Sequence, residues 1–132
     1  MNREIDNIID EICEKDPRYK RDAYEFIVDA LSFTQKKFRR PKHVTGEELL
    51  EGLRELLIDK FGPMTLSVLD HCGIKTTEDF GHIVFNLVNQ KILSKTDEDT
   101  LEHFQDAYDF KKVFGVEYQK QLEKRIGKMR ST

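Results

Sequence analysis

The chain has 132 residues, of which 36% are charged and 38% apolar, with 22 Lys and Arg against 25 Asp and Glu. This length and balance are typical of one water-soluble domain, and the net charge of -3 argues against a protein that coats nucleic acid or an anionic membrane through its overall field. No apolar run reaches the roughly 20 residues that cross a bilayer, and the first residues are acidic where a signal peptide is basic and then apolar, so we expect a cytoplasmic protein.

The first half of the chain predicts three helices. Isoleucines spaced by three and four predict an amphipathic helix that ends before Pro17, and a second helix is expected from about Arg21 to Phe38. Thr45 and Glu48 have capping-box spacing, so a third helix is expected to start at Thr45. Gly52 lies inside that helix and indicates that another element approaches closely, because Gly otherwise costs a helix about 1 kcal/mol.

The middle of the chain predicts a helix-turn-helix followed by a β-hairpin. Pro63 begins a short helix that ends at Gly73, and the capping-box pair Thr76 and Asp79 begins another that runs to about Gln90. The run ILSKTDEDTLEHF then contains two short apolar stretches around a polar turn, which predicts a two-stranded wing. The expected fold is therefore mainly α, a helical domain with a winged-helix-like core.

We expect a single domain over residues 1–132, with N-terminal helices in 2–38, the winged-helix-like core in 45–105, and a return segment and basic C-terminal helix in 106–132. Charge is unevenly distributed along this domain. Residues 36–43 contain five Lys and Arg and no carboxylate, whereas residues 97–109 contain six carboxylates and no Lys or Arg. The basic segment can therefore pair with the acidic segment, either within one molecule or between two molecules.

The segments TGEELLEGLR, FGPM, TTEDFG and LSKTDED are distinctive as a set. They lie within a stretch of about residues 19–114 that resembles a family of small uncharacterised bacterial proteins first noted in planctomycetes and verrucomicrobia. The resemblance implies a bacterial origin. That family has no assigned activity, so the resemblance implies no catalytic or binding residue.

Motifs of catalysis are missing from the sequence, which has no GxxxxGK[ST], GxSxG, HExxH or GxGxxG. The candidate metal ligands nearest the predicted helix-turn-helix are His71, Cys72, His82 and His103, but no pair of them has reliable ligand spacing. We therefore predict no enzyme activity, no metal and no cofactor. Neither Cys13 nor Cys72 belongs to a CxxC motif, so both are expected to be buried free thiols.

The leading functional hypothesis concerns the helix after Gly73. Its expected outer side carries two carboxylates and no Lys or Arg before Lys91, and phosphates would be repelled there. We therefore expect a non-enzymatic regulatory or adaptor module that binds another protein or a second copy of itself. The residues expected to contact that partner are Glu78, Asp79, His82 and Asn86.

The alternative hypothesis is a nucleic-acid-binding regulator. Its phosphate contacts would come from the basic loop Lys36, Lys37, Arg39, Arg40 and Lys42, together with the C-terminal cations Lys120, Lys124, Arg125 and Lys128. A helix C-terminus also favours Lys and Arg, because they interact with the unpaired carbonyls and the helix dipole. The sequence leaves both explanations of the basic loop open.

Overall fold

The computed structural model describes residues 3–40, 43–90 and 101–131. Six α-helices lie in these ranges: α1 (Arg3–Lys15), α2 (Arg21–Lys37), α3 (Gly46–Phe61), α4 (Thr65–Cys72), α5 (Thr77–Asn89) and α6 (Tyr118–Ser131). Short 3-10 turns cover Gly62–Met64 and Leu101–Phe104, and a π-helical segment covers Lys112–Glu117. The prediction of a mainly α protein is confirmed.

Helices α1 and α3 begin and end where local signals place them. α1 ends at Lys15, shortly before Pro17, whose ring cannot continue a helix. At the start of α3, the Glu48 amide donates to the Thr45 hydroxyl at 3.0 Å, and the Thr45 amide donates to the Glu48 carboxylate at 2.9 Å. The predicted capping box is confirmed, and it satisfies amides that the helix itself leaves without partners.

Helices α2 and α3 pack closely at the centre of the core. A Cβ atom at Gly52 would overlap the hydroxyl of Thr34, which is fully buried on α2. The close approach predicted from Gly52 is therefore confirmed. Ile27 and Ala30 of α2 belong to the same buried apolar cluster as Leu53 of α3.

The turn between α4 and α5 is tight and touches the connection between α1 and α2. Gly73 has φ +83°, a left-handed conformation that glycine adopts without a steric penalty, and a Cβ there would overlap the carbonyl of Arg18. The backbone amide of Lys20 donates to the Cys72 carbonyl at 3.2 Å. Helix α5 then begins at the second predicted capping box, which is also confirmed.

The predicted winged-helix-like core is wrong. Residues 101–104, expected to belong to the second strand of the hairpin, form a 3-10 turn, and the described ranges contain no strand; the rest of the predicted hairpin, in 91–100, lies outside them. Leu101 and Phe104 are three residues apart. Positions with this spacing lie on the same side of a 3-10 turn but on opposite faces of a strand. Phe104 is buried against Gly81 of α5.

The return segment is irregular only as far as Asp109, and from Phe110 the chain is helical through the π segment into α6. The Tyr108 hydroxyl donates to the Leu50 carbonyl at 2.9 Å. The rings of Phe110 and Phe114 each have their centroids 6.1 Å from that of Tyr108. The beginning of the last helix is thus attached to the core by aromatic packing.

Within the described residues, no helix is both long and apolar enough to cross a membrane. Both cysteines are free thiols, as predicted. Cys72 is buried and Cys13 is half-buried, so the expectation of burial holds fully for Cys72 alone. Burial raises the pKa of both thiols above the ordinary value, which makes each a weaker nucleophile at neutral pH.

Candidate functional site

Three of the predicted partner-binding residues lie in a polar cluster between α5 and the connection from α1 to α2. The Tyr19 hydroxyl donates to Asp79 Oδ1 at 2.5 Å, and His82 Nδ1 lies 3.0 Å from the same hydroxyl. The Asn86 amide donates to Asp16 Oδ2 at 2.9 Å. These side chains therefore tie α5 to the α1–α2 connection.

Arg18 and Asp16 form an ion pair within this polar cluster. Arg18 donates to Asp16 through Nε at 2.8 Å and through Nη2 at 2.7 Å. This guanidinium holds the pKa of Asp16 well below its ordinary value. Burial, followed by the hydrogen bond to Asp79, raises the pKa of the Tyr19 phenol. An ionised Asp16 and a neutral Tyr19 at pH 7 suit a structural tie better than proton transfer.

The fourth predicted partner-binding residue, Glu78, also has contacts within the chain. Its carboxylate accepts a hydrogen bond from the Asp106 amide, and a hydrogen bond from the Thr76 hydroxyl lowers the pKa of Glu78. The four residues thus all lie on α5, but each makes intramolecular contacts there. Their binding of a partner stays a prediction.

The predicted phosphate-binding loop is partly neutralised by α3. Lys37 forms an ion pair with Glu55, and Arg40 Nε lies 3.1 Å from Glu48 Oε2. The Arg40 guanidinium also helps to lower the pKa of Glu48, after the hydrogen bond from the Thr45 amide. Two cations of the loop therefore have carboxylate partners within the chain.

The other cations of the loop are differently placed. Lys36 and Arg39 are exposed beside a shallow hollow, and Lys42 lies outside the described residues. The C-terminal cations Lys120, Lys124, Arg125 and Lys128 are exposed on α6.

Helix α3 separates the basic loop from the start of α6. Tyr118, the first residue of α6, has its hydroxyl 3.0 Å from the position of a Cβ at Gly62, just beyond the end of α3. Arg40 instead pairs with Glu48 in the first turn of α3. Since an α-helix rises 1.5 Å per residue, Glu48 and Gly62 are about 20 Å apart. The structure therefore does not join the loop to the start of the basic helix.

The candidate metal ligands are spread over the molecule. His82 lies in the polar cluster, His103 lies beside Gly46 at the start of α3, and His71 and Cys72 lie at the end of α4. Over residues 3–40, 43–90 and 101–131, no group of three or more His, Cys, Asp or Glu could hold a metal ion.

An apolar groove runs between α2, the end of α3 and α4, and we call it the α2–α4 groove. Its volume is about 480 Å³. The centroids of the Phe26 and Phe61 rings are 5.8 Å apart at this groove. The apolar side chains that line it include Phe26, Leu57, Phe61, Val68, Leu69 and Ile74.

One edge of the α2–α4 groove is acidic. Asp22, Glu25 and Asp29 lie along α2 and line the groove, and Asp22 and Asp29 are exposed. Glu25 pairs with Arg21, which also pairs with Asp6 and Asp10. Among the described residues, no salt bridge involves Asp22 or Asp29, so the edge keeps negative charge facing solvent.

Sequence reasoning did not find this groove. The spacing of Asp22, Glu25 and Asp29 by three and four residues was a signal for an acidic stripe on α2. The apolar floor had no such signal, because Phe26 and Phe61 come from different helices and become neighbours only in the folded chain.

No protein-family model, curated protein or solved structure matches this chain. The resemblance to a bacterial family therefore stays a prediction.

Proposed function

We propose that this protein is a non-enzymatic regulatory or adaptor module that binds a basic amphipathic helix in the α2–α4 groove. The observation that carries this proposal is an apolar floor and an acidic edge in one open groove of about 480 Å³. The proposal keeps the predicted class of function, and it moves the binding surface from α5 to α2 and α4.

The floor of the groove has the chemistry of a helix-binding site. Phe26 and Phe61 are only partly buried, and Val68 of α4 lies beside them with part of its surface in solvent. An amphipathic helix can cover such a floor with apolar side chains at positions i, i+3 or i+4, and i+7. Burial of this surface favours binding by roughly 25 cal/mol per Å² of apolar area before the costs of association.

The edge of the groove selects the charge of the ligand. Asp22 and Asp29 lie two turns apart on α2, so they can both contact one helix that lies along the groove. Lys or Arg beside the apolar stripe of the ligand would complement them, and a carboxylate there would be repelled. The expected ligand is therefore a basic helix and not an acidic one.

The nucleic-acid alternative has weaker support. Lys37 and Arg40 already pair with carboxylates of α3, and the start of α6 lies away from the loop. Duplex and single-stranded DNA and RNA should therefore give no salt-sensitive shift that depends on this loop. A shift at low salt that weakens when Arg39 and Arg40 are both replaced by Ala would favour the alternative.

The proposal is tested with a Leu/Lys model peptide whose leucines occupy one side of a helix. Fluorescence anisotropy should show binding that weakens as salt rises, and a Leu/Glu peptide with the same apolar side should bind much less. The double variant Asp22→Lys/Asp29→Lys should bind the Leu/Lys peptide at least about tenfold more weakly at low salt.

The matched control is Glu11→Lys/Glu14→Lys, which makes the same change of net charge on the exposed side of α1. This variant should bind the Leu/Lys peptide nearly as the unchanged chain does. Equal losses in both double variants would mean that net charge alone attracts the peptide, and the groove proposal would then be wrong.

A further inference from the structure

We infer that the helix bound in the α2–α4 groove is α6 of a second copy of this chain, so that two copies exchange their C-terminal helices. This inference rests on the proposed function and names the partner for the same groove. Four features of α6 carry it: its exposure, its apolar stripe, the side on which its cations lie, and the place where it leaves the core.

Most of the surface of α6 is not covered by the other residues that the structure describes. Every residue from Gln119 to Lys128 is exposed, including Leu122 at 38% and Ile126 at 41% of their full accessible surface. Most helices in proteins are stabilised by an apolar side packed on another element. The apolar side chains of α6 would therefore be stabilised by a surface that the described residues of the same chain do not provide.

The apolar stripe of α6 has the spacing that a groove accepts. Leu122 and Ile126 are four residues apart, and the sequence continues with Met129 three residues later. These positions share one side of a helix. They give three apolar anchors in two turns, which is the pattern of helices that bind in apolar grooves.

The cations of α6 lie where the acidic edge can meet them. At about 100° per residue, Arg125 borders the apolar stripe and Lys128 lies farther around on the same side, whereas Lys120 and Lys124 lie opposite the stripe. The acidic residues of the groove also lie on one edge, along α2. A helix bound through its apolar stripe can therefore place Arg125 and Lys128 against Asp22 and Asp29.

The path of the chain favours exchange between copies. Helix α6 begins beside Gly62, the residue after Phe61, so it leaves the core at one end of the groove. The chain is continuously helical from Phe110 into α6, so α6 cannot enter its own groove without breaking that helix. Two copies related by a two-fold axis can each place α6 in the groove of the other, which uses the same contact twice.

Sedimentation velocity on the full chain is the first test. The unchanged chain should form dimers, and Leu122→Asp/Ile126→Asp should raise the dimer dissociation constant by at least tenfold. Phe85→Asp is the control, because Phe85 is also exposed, at 44%, but lies on α5 away from the groove. Circular dichroism of the variants separates loss of association from loss of folding. A chain that remains monomeric at every concentration would overturn the inference.

Charge reversal gives a sharper test. Arg125→Glu/Lys128→Glu should weaken the dimer at least tenfold, whereas Lys120→Glu/Lys124→Glu, with the same change of charge on the opposite side of α6, should weaken it much less. Asp22→Lys/Asp29→Lys should also weaken it at least tenfold. An equimolar mixture of Arg125→Glu/Lys128→Glu with Asp22→Lys/Asp29→Lys should recover dimers. In the mixed dimer, the charge-reversed α6 of one chain meets the charge-reversed groove of the other, and the second contact joins an unchanged α6 to an unchanged groove.

The two proposals can fail separately. The Leu122→Asp/Ile126→Asp chain leaves the groove unchanged, so it is the protein to titrate with the Leu/Lys peptide. If that peptide binds while the unchanged chain stays monomeric, the groove proposal stands and the exchange of α6 is wrong. A dimer that survives Asp22→Lys/Asp29→Lys, or a mixture that recovers no dimers, would also overturn the exchange.

Discussion

Asp16 joins two parts of the chain that are far apart in sequence. Its carboxylate accepts two hydrogen bonds from the Arg18 guanidinium and one from the Asn86 amide of α5. All three bonds favour the ionised carboxylate, and the bond with Arg18 contributes most to lowering the pKa of Asp16. The contribution of this residue to stability must therefore depend on pH.

Asp16→Asn should lower the free energy of unfolding by about 1 kcal/mol at pH 7, because the Arg18 side chain of the ion pair is 55% exposed, although that of Asp16 is only 19% exposed. The pKa of Asp16 is lower in the folded than in the unfolded chain, so its stabilisation is present above about pH 3.9 and is lost as the pH falls below that. Urea unfolding at pH 7 and pH 3 should show the difference between wild type and variant shrinking on acidification.

The control for that experiment is Glu14→Gln, which removes an exposed carboxylate of α1. It should change stability little at either pH. A difference between Asp16→Asn and wild type that is as large at pH 3 as at pH 7 would contradict the role assigned to the ionised carboxylate.

The polar cluster could be predicted from the sequence only in part. Asp79, His82 and Asn86 were placed on one side of a helix, because the period of α5 is a local property, but that side was expected to face outward and it packs against the α1–α2 connection. Their contacts with Asp16 and Tyr19 join positions at least sixty residues apart, as in the hydrogen bond from Tyr19 to Asp79. No single-sequence pattern reveals which side of a helix another segment will cover.

Helices α2 and α3 meet at a point where only glycine fits. Replacing Gly52 by Ala would improve the intrinsic helix propensity by about 1 kcal/mol. The new Cβ would overlap Thr34, whose hydroxyl donates to the Ala30 carbonyl at 2.7 Å. Overpacking in a dense core typically costs about 1–3 kcal/mol, so the overlap should outweigh the gain in propensity.

We therefore expect Gly52→Ala to lower the free energy of unfolding by up to about 2 kcal/mol, measured by chemical denaturation. Gly127→Ala is the matched control, because Gly127 is also helical and a Cβ there meets nothing within 4 Å. That change should be neutral or slightly stabilising. If the two variants behaved alike, α2 and α3 could not be as close as the structure places them.

Most helices were predictable because their ends depend on nearby residues. The capping boxes at Thr45 and Thr76 and the glycine at Gly73 act within one turn of the backbone that they cap. The hairpin was predicted from two apolar runs alone, and Leu101 and Phe104 are also compatible with a short helical turn. Phe104 is held in place by its contact with Gly81 of α5, which is distant in the sequence, so the residues around Phe104 could not reveal that contact.

Aromatic packing attaches the C-terminal helix to the rest of the protein. The rings of Phe80 and Phe110 have centroids 5.4 Å apart, and those of Phe110 and Phe114 are 5.7 Å apart. Phe80 belongs to α5, whereas Tyr108 is hydrogen-bonded to α3. The exchange of α6 proposed above requires this anchor, because otherwise the helix would have no fixed starting point.

Phe110→Ala should lower the free energy of unfolding by about 3–4 kcal/mol, the usual cost of removing a buried phenyl ring. Thermal unfolding should show the lower midpoint, and hydrogen exchange should show faster exchange of amides at the start of α6. Phe85→Ala is the control and should cost far less, since Phe85 is exposed. Similar losses in both variants would mean that Phe110 does not anchor the segment.

The π-helical segment at Lys112–Glu117 holds one residue more than an α-helix would need to reach the same direction of α6. A π turn contains about one residue more than an α turn, so each π residue rotates the helix by less than the roughly 100° of an α residue. Deleting one residue there would let the backbone close as an ordinary α-helix while Leu122 and Ile126 kept nearly the same direction, because five α residues turn about as far as six π residues. Chains with identical C-terminal helices but one residue fewer upstream would therefore still present the same side of that helix to a partner.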